Sequence, residues 1–224
     1  MPSAPAEPLI AATPAAAFLW HYELRQGEAS GVARLSWRPD GQHYQARLER
    51  ELAGRALPGW RSEGGFDAQG LAPERFAQQR SGRDSLATNF RREQGLISFS
   101  ASPALLPLPA GVQDRLSWML QLPALVAADV RLREPGAQLV LPVVGLSGEV
   151  QDWLFVVQQI EDQSLPIGTI SNTVHLRRRA QALYDSEVEV WLDPARHHLP
   201  VRLRHSIDEA RSWELRLQEE LLLP

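Results

Sequence analysis

The sequence of 224 residues contains no cysteine and no lysine, so all 23 of its basic residues are arginines. Without cysteine the chain can form no disulfide, no thiolate metal site and no thiol nucleophile. Without lysine it can form no Schiff base with a carbonyl substrate or with pyridoxal phosphate, and no phosphate-binding loop of the usual lysine-containing kind. These two absences exclude several classes of enzyme before any motif is considered.

The sequence also lacks long apolar runs and an excess of one charge. No stretch approaches the ~20 apolar residues of a membrane-spanning helix, so we expect no transmembrane segment in this chain. The 23 basic and 27 acidic residues are spread along the sequence and give a net charge of -4. No basic patch typical of nucleic-acid-binding proteins is present, and we expect no nucleic-acid partner.

The N-terminal residues differ in composition from the rest. Residues 1–19 are rich in alanine and proline, without the basic region and continuous apolar region of a secretory signal. We predict a flexible N-terminal segment over residues 1–19 and a single β-rich domain over residues 20–224. The segment is equally compatible with a natural start and with the remainder of a chain that has lost a signal or anchor.

From Trp20 onward the residues alternate between apolar and polar in short runs, which is the period of a β-strand. The clearest predicted hairpin joins the run ending at Trp37 to the run beginning at Tyr44, across the turn at residues 38–42. A second one pairs residues 86–90 with residues 97–101. The glycine-containing segment at residues 58–66 is predicted to be looser, and roughly ten to twelve strands are expected in all.

One substantial helix is predicted over residues 112–128, where Leu116, Met119, Leu120 and Leu125 are spaced to bury one side. Pro123 lies inside this range and predicts a kink or two short helices, because proline lacks a backbone donor. The predicted fold class is therefore mainly β, with a curved antiparallel half-barrel sheet that wraps this helical segment.

The histidines do not predict a metal site. His197 and His198 are adjacent in a predicted exposed turn, and adjacent strand residues point to opposite faces, so they rarely bind one metal together. The remaining histidines lie at no recognised ligand spacing and are expected at the surface or half-buried: His21, His43, His175 and His205.

The charged residues favour structural roles. Glu187 and Glu189 share one strand face, which could serve acid–base chemistry, but ion pairs with the arginines at 177–179 are the more ordinary explanation. These arginines are expected to form a solvated face, with the middle one pointing away from the outer two. Asp114 is expected to stabilise the first helical turn. We found no Gly-x-Ser-x-Gly motif, and we predict no catalytic residues, no cofactor and no enzyme activity.

The seven tryptophans are the most suggestive feature of the composition. They are compatible with an ordinary aromatic core, or with a cavity between the sheet and the helix. The sequence leaves both possibilities open. If a cavity exists, the predicted lining residues are Tyr22, Tyr44, Phe90, Phe99, Met119, Trp153 and Phe155.

Four segments carry a resemblance to a known family: Gly70–Phe76, Gly111–Ser117, Leu165–Thr169, and Glu189–Pro194 with its continuation Leu199–Leu203. In this order they resemble an uncharacterised bacterial family catalogued as domain of unknown function 3108. The resemblance implies a periplasmic protein, usually made with an N-terminal signal or anchor that residues 1–19 do not show. It also implies a fold similar to the half-open barrels of lipoprotein carrier proteins, in which a sheet closes over a helix and leaves a cavity for acyl chains.

Two functions are therefore considered. The leading hypothesis is a non-enzymatic cell-envelope protein that binds or shuttles a hydrophobic ligand such as a lipid or an acyl chain. The alternative is a structural or protein-interaction domain of the envelope, with a filled core, no ligand and an envelope protein as its partner. A hydrolase or glycosidase ranks third, because it would require converging buried polar groups that the strand pattern does not predict.

Overall fold

The computed structural model describes residues 15–182, 185–208 and 211–223. In these ranges the chain forms one α-helix, α1 (Trp118–Ala128), and a single sheet of 15 strands. The strands are β1 (Phe18–Gln26), β2 (Ala29–Pro39), β3 (His43–Leu52), β4 (Arg55–Asp67), β5 (Gly70–Arg80), β6 (Arg83–Arg91), β7 (Leu96–Phe99), β8 (Leu105–Pro107), β9 (Gln113–Asp114), β10 (Gln138–Val144), β11 (Val150–Leu165), β12 (Gly168–Arg178), β13 (Glu187–Asp193), β14 (Leu199–Ser206) and β15 (Ser212–Leu222).

The sheet consists of two meanders that meet at the first and last strands. Strands β1 to β8 pair in sequence order, β15 to β10 do the same, and the β1–β15 pair joins the two halves. Every pairing is antiparallel except the short contact of β9 with β10. The sheet is not closed into a barrel, with β8 at one edge and β9 at the other, and it wraps α1. The predicted mainly β fold is thus confirmed, with more strands than expected.

Both predicted hairpins are confirmed. Strands β2 and β3 pair with Trp37 opposite Ala46, and the Asp40 carboxylate accepts hydrogen bonds from the backbone N–H groups of Gln42 and His43 in the turn. Strands β6 and β7 pair with Thr88 opposite Phe99. Short turns therefore set the register of these strands, as the alternation of apolar residues predicted.

The segment at residues 58–66 is not loose, because it lies within the strand β4. Its glycines serve close packing rather than flexibility. A Cβ atom at Gly64 would overlap the backbone carbonyl of Ala72 on β5, where the register of the two strands shifts. A glycine in a strand often marks such a bulge, and the prediction mistook it for a loop signal.

Helix α1 begins at Trp118 rather than at residue 112. The Asp114 carboxylate accepts from the N–H groups of Leu116 and Ser117, which holds the preceding residues in a tight turn instead of a helix. The helix continues through Pro123 as one element, so the prediction of two short helices is wrong. Buried residues occur all around it, as expected for a helix inside a core: Trp118, Met119, Leu120, Gln121, Leu122, Pro123, Leu125 and Val126.

The sheet begins slightly earlier than the predicted domain boundary. Phe18 and Leu19 belong to β1, although they were assigned to the flexible segment 1–19. Just before them, the Ala15 carbonyl accepts a hydrogen bond of 2.9 Å from the indole Nε1 of Trp37. Residues 1–14 of that predicted segment lie outside the described residues.

The tip of the hairpin formed by β11 and β12 contacts strand β15. There the N–H of Ile167 donates to the carbonyl of Leu217 on β15, and Arg216 donates to the carbonyl of Ser164. The neighbouring strand β14 starts with Leu199 and Pro200, and proline cannot donate a ladder hydrogen bond. The hairpin tip therefore supplies the backbone donor at this position of β15.

Candidate functional site

The seven predicted lining residues are all buried, with exposed fractions from 0% to 8%: Tyr22, Tyr44, Phe90, Phe99, Met119, Trp153 and Phe155. They do not surround one common space. The rings of Trp153 and Phe155 lie 5.5 Å and 5.4 Å from the ring of Trp118 at the start of α1. Tyr44 stacks on Trp37 on the other side of the core, and the Tyr22 hydroxyl donates to the Pro200 carbonyl. Their role as ligand-lining residues stays a prediction.

An apolar cleft lies at one end of the half-barrel, and none of these seven residues lines it. It has a volume of about 70 Å³ and lies between the C-terminal half of α1 and the side chains of Trp37, Phe66, Leu71 and Leu199. A shallower groove of about 380 Å³ shares Leu199 with it and continues past Phe18 and Trp20. Small-molecule pockets usually measure ~300–1,000 Å³, so the enclosed part of the cleft is small for a ligand.

The opposite end of the half-barrel is cationic and aromatic. We call this end the arginine–tryptophan mouth and define it by Arg50, Arg115, Arg178, His205, Trp60, Trp153 and Trp213. The Arg50 guanidinium lies 4.4 Å from the ring centroid of Trp60 and 5.6 Å from that of Trp213. The guanidinium groups of Arg115 and Arg178 lie 4.8 Å and 4.6 Å from the ring centroid of Trp153. A groove of about 570 Å³ opens here, lined by Trp60, Arg115, His205, Trp213, Asp185 and Glu149 among others.

The strand pattern explains why these side chains face inward. On β3 the inward positions run through Tyr44, Ala46 and Leu48 to Arg50, and on β14 they run through Val201 and Leu203 to His205. Arg178 follows Leu176 on the inner face of β12 and is buried. The alternation of inward and outward positions therefore carried a signal for this site, which we missed because we predicted that the arginines at 177–179 are solvated and did not follow the inward positions as far as Arg50 and His205.

Burial changes the ionisation of the groups at the mouth. Burial lowers the pKa of Arg50 to about 10 and also lowers that of Arg115. The pKa of His205 falls to about 4, first because its ring is buried and then because Arg115, Arg178 and Arg50 are near. His205 is therefore neutral at pH 7, with its ring stacked 5.2 Å from that of Trp213.

A buried polar cluster joins the sheet to the turn before α1. The Ser62 hydroxyl donates to the Asp114 carboxylate over 2.5 Å, and the hydroxyls of Ser62 and Tyr44 are 3.1 Å apart. Asp114 has no exposed surface, and this burial raises its pKa to about 6 despite the hydrogen bonds from Ser62, Ser117 and Leu116. Asp114 thus precedes the helix in β9 and does not lie in its first turn, as the sequence had suggested.

His175 lies in a second polar cluster, on the outer face of the sheet. Its Nδ1 atom is 3.4 Å from Glu161 and its Nε2 atom 3.2 Å from Glu189, and its ring stacks 4.3 Å from that of Trp191. Two carboxylates on opposite ring nitrogens hold the imidazole in place rather than share a metal with it. Within residues 15–182, 185–208 and 211–223, no group of three or more histidines and acidic residues is placed to hold a metal ion.

The arginines at 177–178 and His198 agree with the predictions only in part. Arg177 pairs with Glu187 at 2.6 Å, as expected, while Arg178 points to the other face. Arg178 is not solvated, because it is buried against Asp185 at 2.7 Å. His198 is also buried rather than exposed, since the backbone turns sharply inward after the short helix at Pro194–Arg196, and burial lowers its pKa to about 4.

Residues 18–209 match a family described as a protein of unknown function, DUF3108. This chain belongs to the DUF3108 family. The match covers the sheet from β1 to the end of β14 and includes α1, so the resemblance of the four sequence segments is confirmed. No curated protein matches the chain.

Solved structures support the fold of this family member. A beta-barrel-like protein of domain of unknown function DUF1849 from Brucella abortus is similar with a TM-score of 0.59 and 12% identity, covering 95% of this chain and 100% of the other. MucB is similar with a TM-score of 0.42 and 8% identity, over 94% of this chain and 55% of MucB. MucB in complex with MucA(peri) gives a TM-score of 0.35, 10% identity, and coverage of 92% and 50%. The first likeness shows the fold alone, and the MucB scores are too low to carry an argument about this chain.

No described helix is long and apolar enough to cross a membrane.

Proposed function

We propose that this chain is a non-enzymatic domain of the bacterial cell envelope, placed in the periplasm, which functions by binding another protein on its outer surface. The burial of α1 against the sheet is the observation that carries this proposal. Helix α1 is buried around most of its circumference, and its apolar side chains belong to the same core as those of the sheet. The enclosed void beside it measures only about 70 Å³. Because this void is small for a cargo molecule, we favour the outer surface as the place where the domain acts.

Strand β10 provides a suitable surface. On the side away from β11 it pairs with β9 only at Val143 and Val144, so residues 138–142 have no strand partner there among the described residues. The backbone hydrogen bond from the Val157 N–H to the Ala137 carbonyl shows which residues next to and within β10 bond to β11. Because such residues alternate along an antiparallel pair, the N–H and C=O groups of Val140 point away from β11. Unpaired strand edges accept an extended segment of another protein through main-chain hydrogen bonds.

The side chains beside this edge favour a protein partner. Val140 is 52% exposed and lies directly opposite Leu154 on β11, where a shallow groove of about 380 Å³ continues past Val156 to Arg179. Pro142 has no backbone N–H to offer a partner strand, so it limits the unpaired edge of β10 at one end. Prolines on natural edge strands act in the same way, and only a short stretch of the edge stays accessible. The proposed partner is therefore an extended segment with apolar side chains at alternate positions.

The test replaces Leu154 with a photoreactive amino acid and crosslinks the protein in cells of the native host. We expect one defined protein adduct, which disappears when Val140→Pro removes the outward N–H and is retained in the matched Val140→Thr control. The proline should leave the β10–β11 ladder intact, because residue 140 does not donate to β11. Adducts that are identical in both variants, or the absence of any adduct, would contradict binding at this edge.

A second candidate is the binding of an apolar ligand, and the apolar cleft favours it. The cleft and the groove beyond it are lined mainly by apolar side chains and reach α1 from the surface. A single acyl chain end could enter there, which would make the chain a lipid-binding or lipid-shuttling protein. Native mass spectrometry of protein purified gently from envelopes, followed by lipid extraction, separates the candidates. A stoichiometric lipid that is lost in Ala124→Leu, a variant that fills the cleft, supports this second function, and a ligand-free mass supports the first.

A further inference from the structure

The arginine–tryptophan mouth is more cationic than the fold requires. Elsewhere the inner face of the sheet is mainly apolar apart from the buried cluster of Ser62 and Asp114, yet at this end it carries Arg50, Arg115 and Arg178 together with His205. Burying a charge is unfavourable unless it is paired, so inward-facing guanidinium groups need a reason. Stacking on tryptophan provides part of it, because a cation over an aromatic face gains ~0.5–2 kcal/mol.

Only one of the three arginines is neutralised by a described carboxylate. Arg178 pairs with Asp185, whose oxygens also accept from the backbone N–H groups of Gln181 and Ser186. Arg50 donates to the carbonyl of Pro58 and has no described carboxylate within ion-pair distance. Arg115 has no described hydrogen-bond or ion-pair partner, and Asp185 and Glu149, which both line the groove, act on it only from a distance. The guanidinium groups of Arg50 and Arg115 thus lack a described ion-pair partner, while Glu149 adds one exposed negative charge at the rim of the groove.

The shape of the groove places these charges where a ligand can reach them. Arg115 and His205 line it directly, and Arg50 lies between the two tryptophans that form its wall, Trp60 and Trp213. Both tryptophans are half-exposed. The volume of about 570 Å³ lies within the ordinary range for small-molecule sites. Guanidinium groups match the oxygens of phosphates and carboxylates, and two unpaired ones suit a dianion better than a monoanion.

We propose that the arginine–tryptophan mouth binds the phosphate group of a phosphorylated small molecule, with Arg115 as the direct ligand and Arg50 as the supporting charge. Trp60 and Trp213 contact the part of the ligand that carries the phosphate. The site is at the end of the half-barrel away from the apolar cleft, and it is independent of the β10 edge.

The test is isothermal titration of the whole protein with pyrophosphate, with the indole N–H resonances of the tryptophans followed in parallel. We expect saturable binding that shifts the Trp60 and Trp213 resonances. Arg115→Gln should weaken binding by at least about tenfold, which corresponds to about 1.4 kcal/mol. The matched control Arg34→Gln changes an exposed arginine on β2 and should leave the affinity unchanged.

A substitution at the rim of the groove tests the same site if Arg115→Gln fails to fold. Glu149→Gln removes an exposed negative charge next to the groove, so it should tighten pyrophosphate binding without disturbing the core. Citrate serves as the carboxylate probe and should bind more weakly. No saturable binding, equal affinities in Arg115→Gln and Arg34→Gln, or equal binding of citrate would each overturn the assignment of a phosphate site.

Discussion

The buried carboxylate of Asp114 makes the stability of the fold depend on pH in a way that one substitution can isolate. Replacing Asp114 with asparagine keeps an oxygen that can accept from the N–H groups of Leu116 and Ser117, but it removes the ionisable group. The folded protein has a pKa of about 6 at this position, against 3.8 when the carboxyl is free in water. Asparagine therefore removes the contribution of carboxyl protonation to the free energy of unfolding, while it preserves most of the local geometry.

The sign and the size of the pH dependence of stability follow from this raised pKa. Because the folded state holds the proton more tightly than the unfolded state, the stabilisation is fully present below pH 3.8 and is lost as the pH rises through about 6. The full change is ~3 kcal/mol, at about 1.36 kcal/mol for each pKa unit. About 1.4 kcal/mol of it is present at about pH 5, and almost none at about pH 7.5.

The assay is urea unfolding of both proteins at these two pH values, followed by tryptophan fluorescence. We expect the free energy of unfolding of Asp114→Asn, relative to wild type, to rise by ~1.4 kcal/mol from about pH 5 to about pH 7.5. Contributions from His198 and His205 cancel in this difference because both proteins contain them. Asp152→Asn, at an exposed position, is the control and should show no such change. A difference that is independent of pH, or that falls as the pH rises, would refute the reasoning.

Two further predictions concern the core and the buried histidines. Leu122→Ala in α1 should lower the free energy of unfolding by ~2–5 kcal/mol, because Leu122 has no exposed surface. The control Leu105→Ala, at a 56% exposed position, should change it by less than ~0.5 kcal/mol. Urea unfolding measures both values. His198 and His205 are held neutral with a pKa of about 4, so their stabilisation is present above about pH 6.5 and is lost as the pH falls towards 4. His198→Gln should therefore show a smaller fall in melting temperature than wild type from about pH 7 to about pH 5, and an equal fall would contradict the assignment.

The fold could be predicted because its signals are local. Alternating apolar residues in β2, β3, β6 and β7 face one side of the sheet and pair across short turns, so neighbouring residues determine both the strand and its register. The same alternation points Arg178 away from Arg177, as expected, but onto the buried inner face rather than into solvent. Elements with conflicting local signals were predicted less well. Gly64 marks a strand bulge rather than a loop, and Asp114 begins the turn before the helix rather than lying in the first helical turn.

The candidate sites could not be predicted as sites, although their residue types were visible. The seven aromatic and apolar residues chosen as cavity lining are all buried, as their alternation requires, but burial alone does not distinguish filling a cavity from lining one. That distinction depends on how far the sheet curves and on how much of the enclosed space α1 occupies. Likewise, Arg50, Arg115 and Arg178 come from distant parts of the sequence, and only the curvature of the sheet brings them to one end.

The sequence by itself therefore determined the mainly β class, the family, the pairing of neighbouring strands and the presence of one helix. Each of these depends on residues close together in the chain, or on segments that can be compared one at a time. The tertiary structure alone decided that α1 is buried against the sheet, that residues 138–142 of β10 have no strand partner on one side within the described ranges, and that three arginines meet at the mouth of the half-barrel. These features arise when β1 pairs with β15 and the two meanders close around α1, which brings together surfaces whose residues are separated by most of the chain.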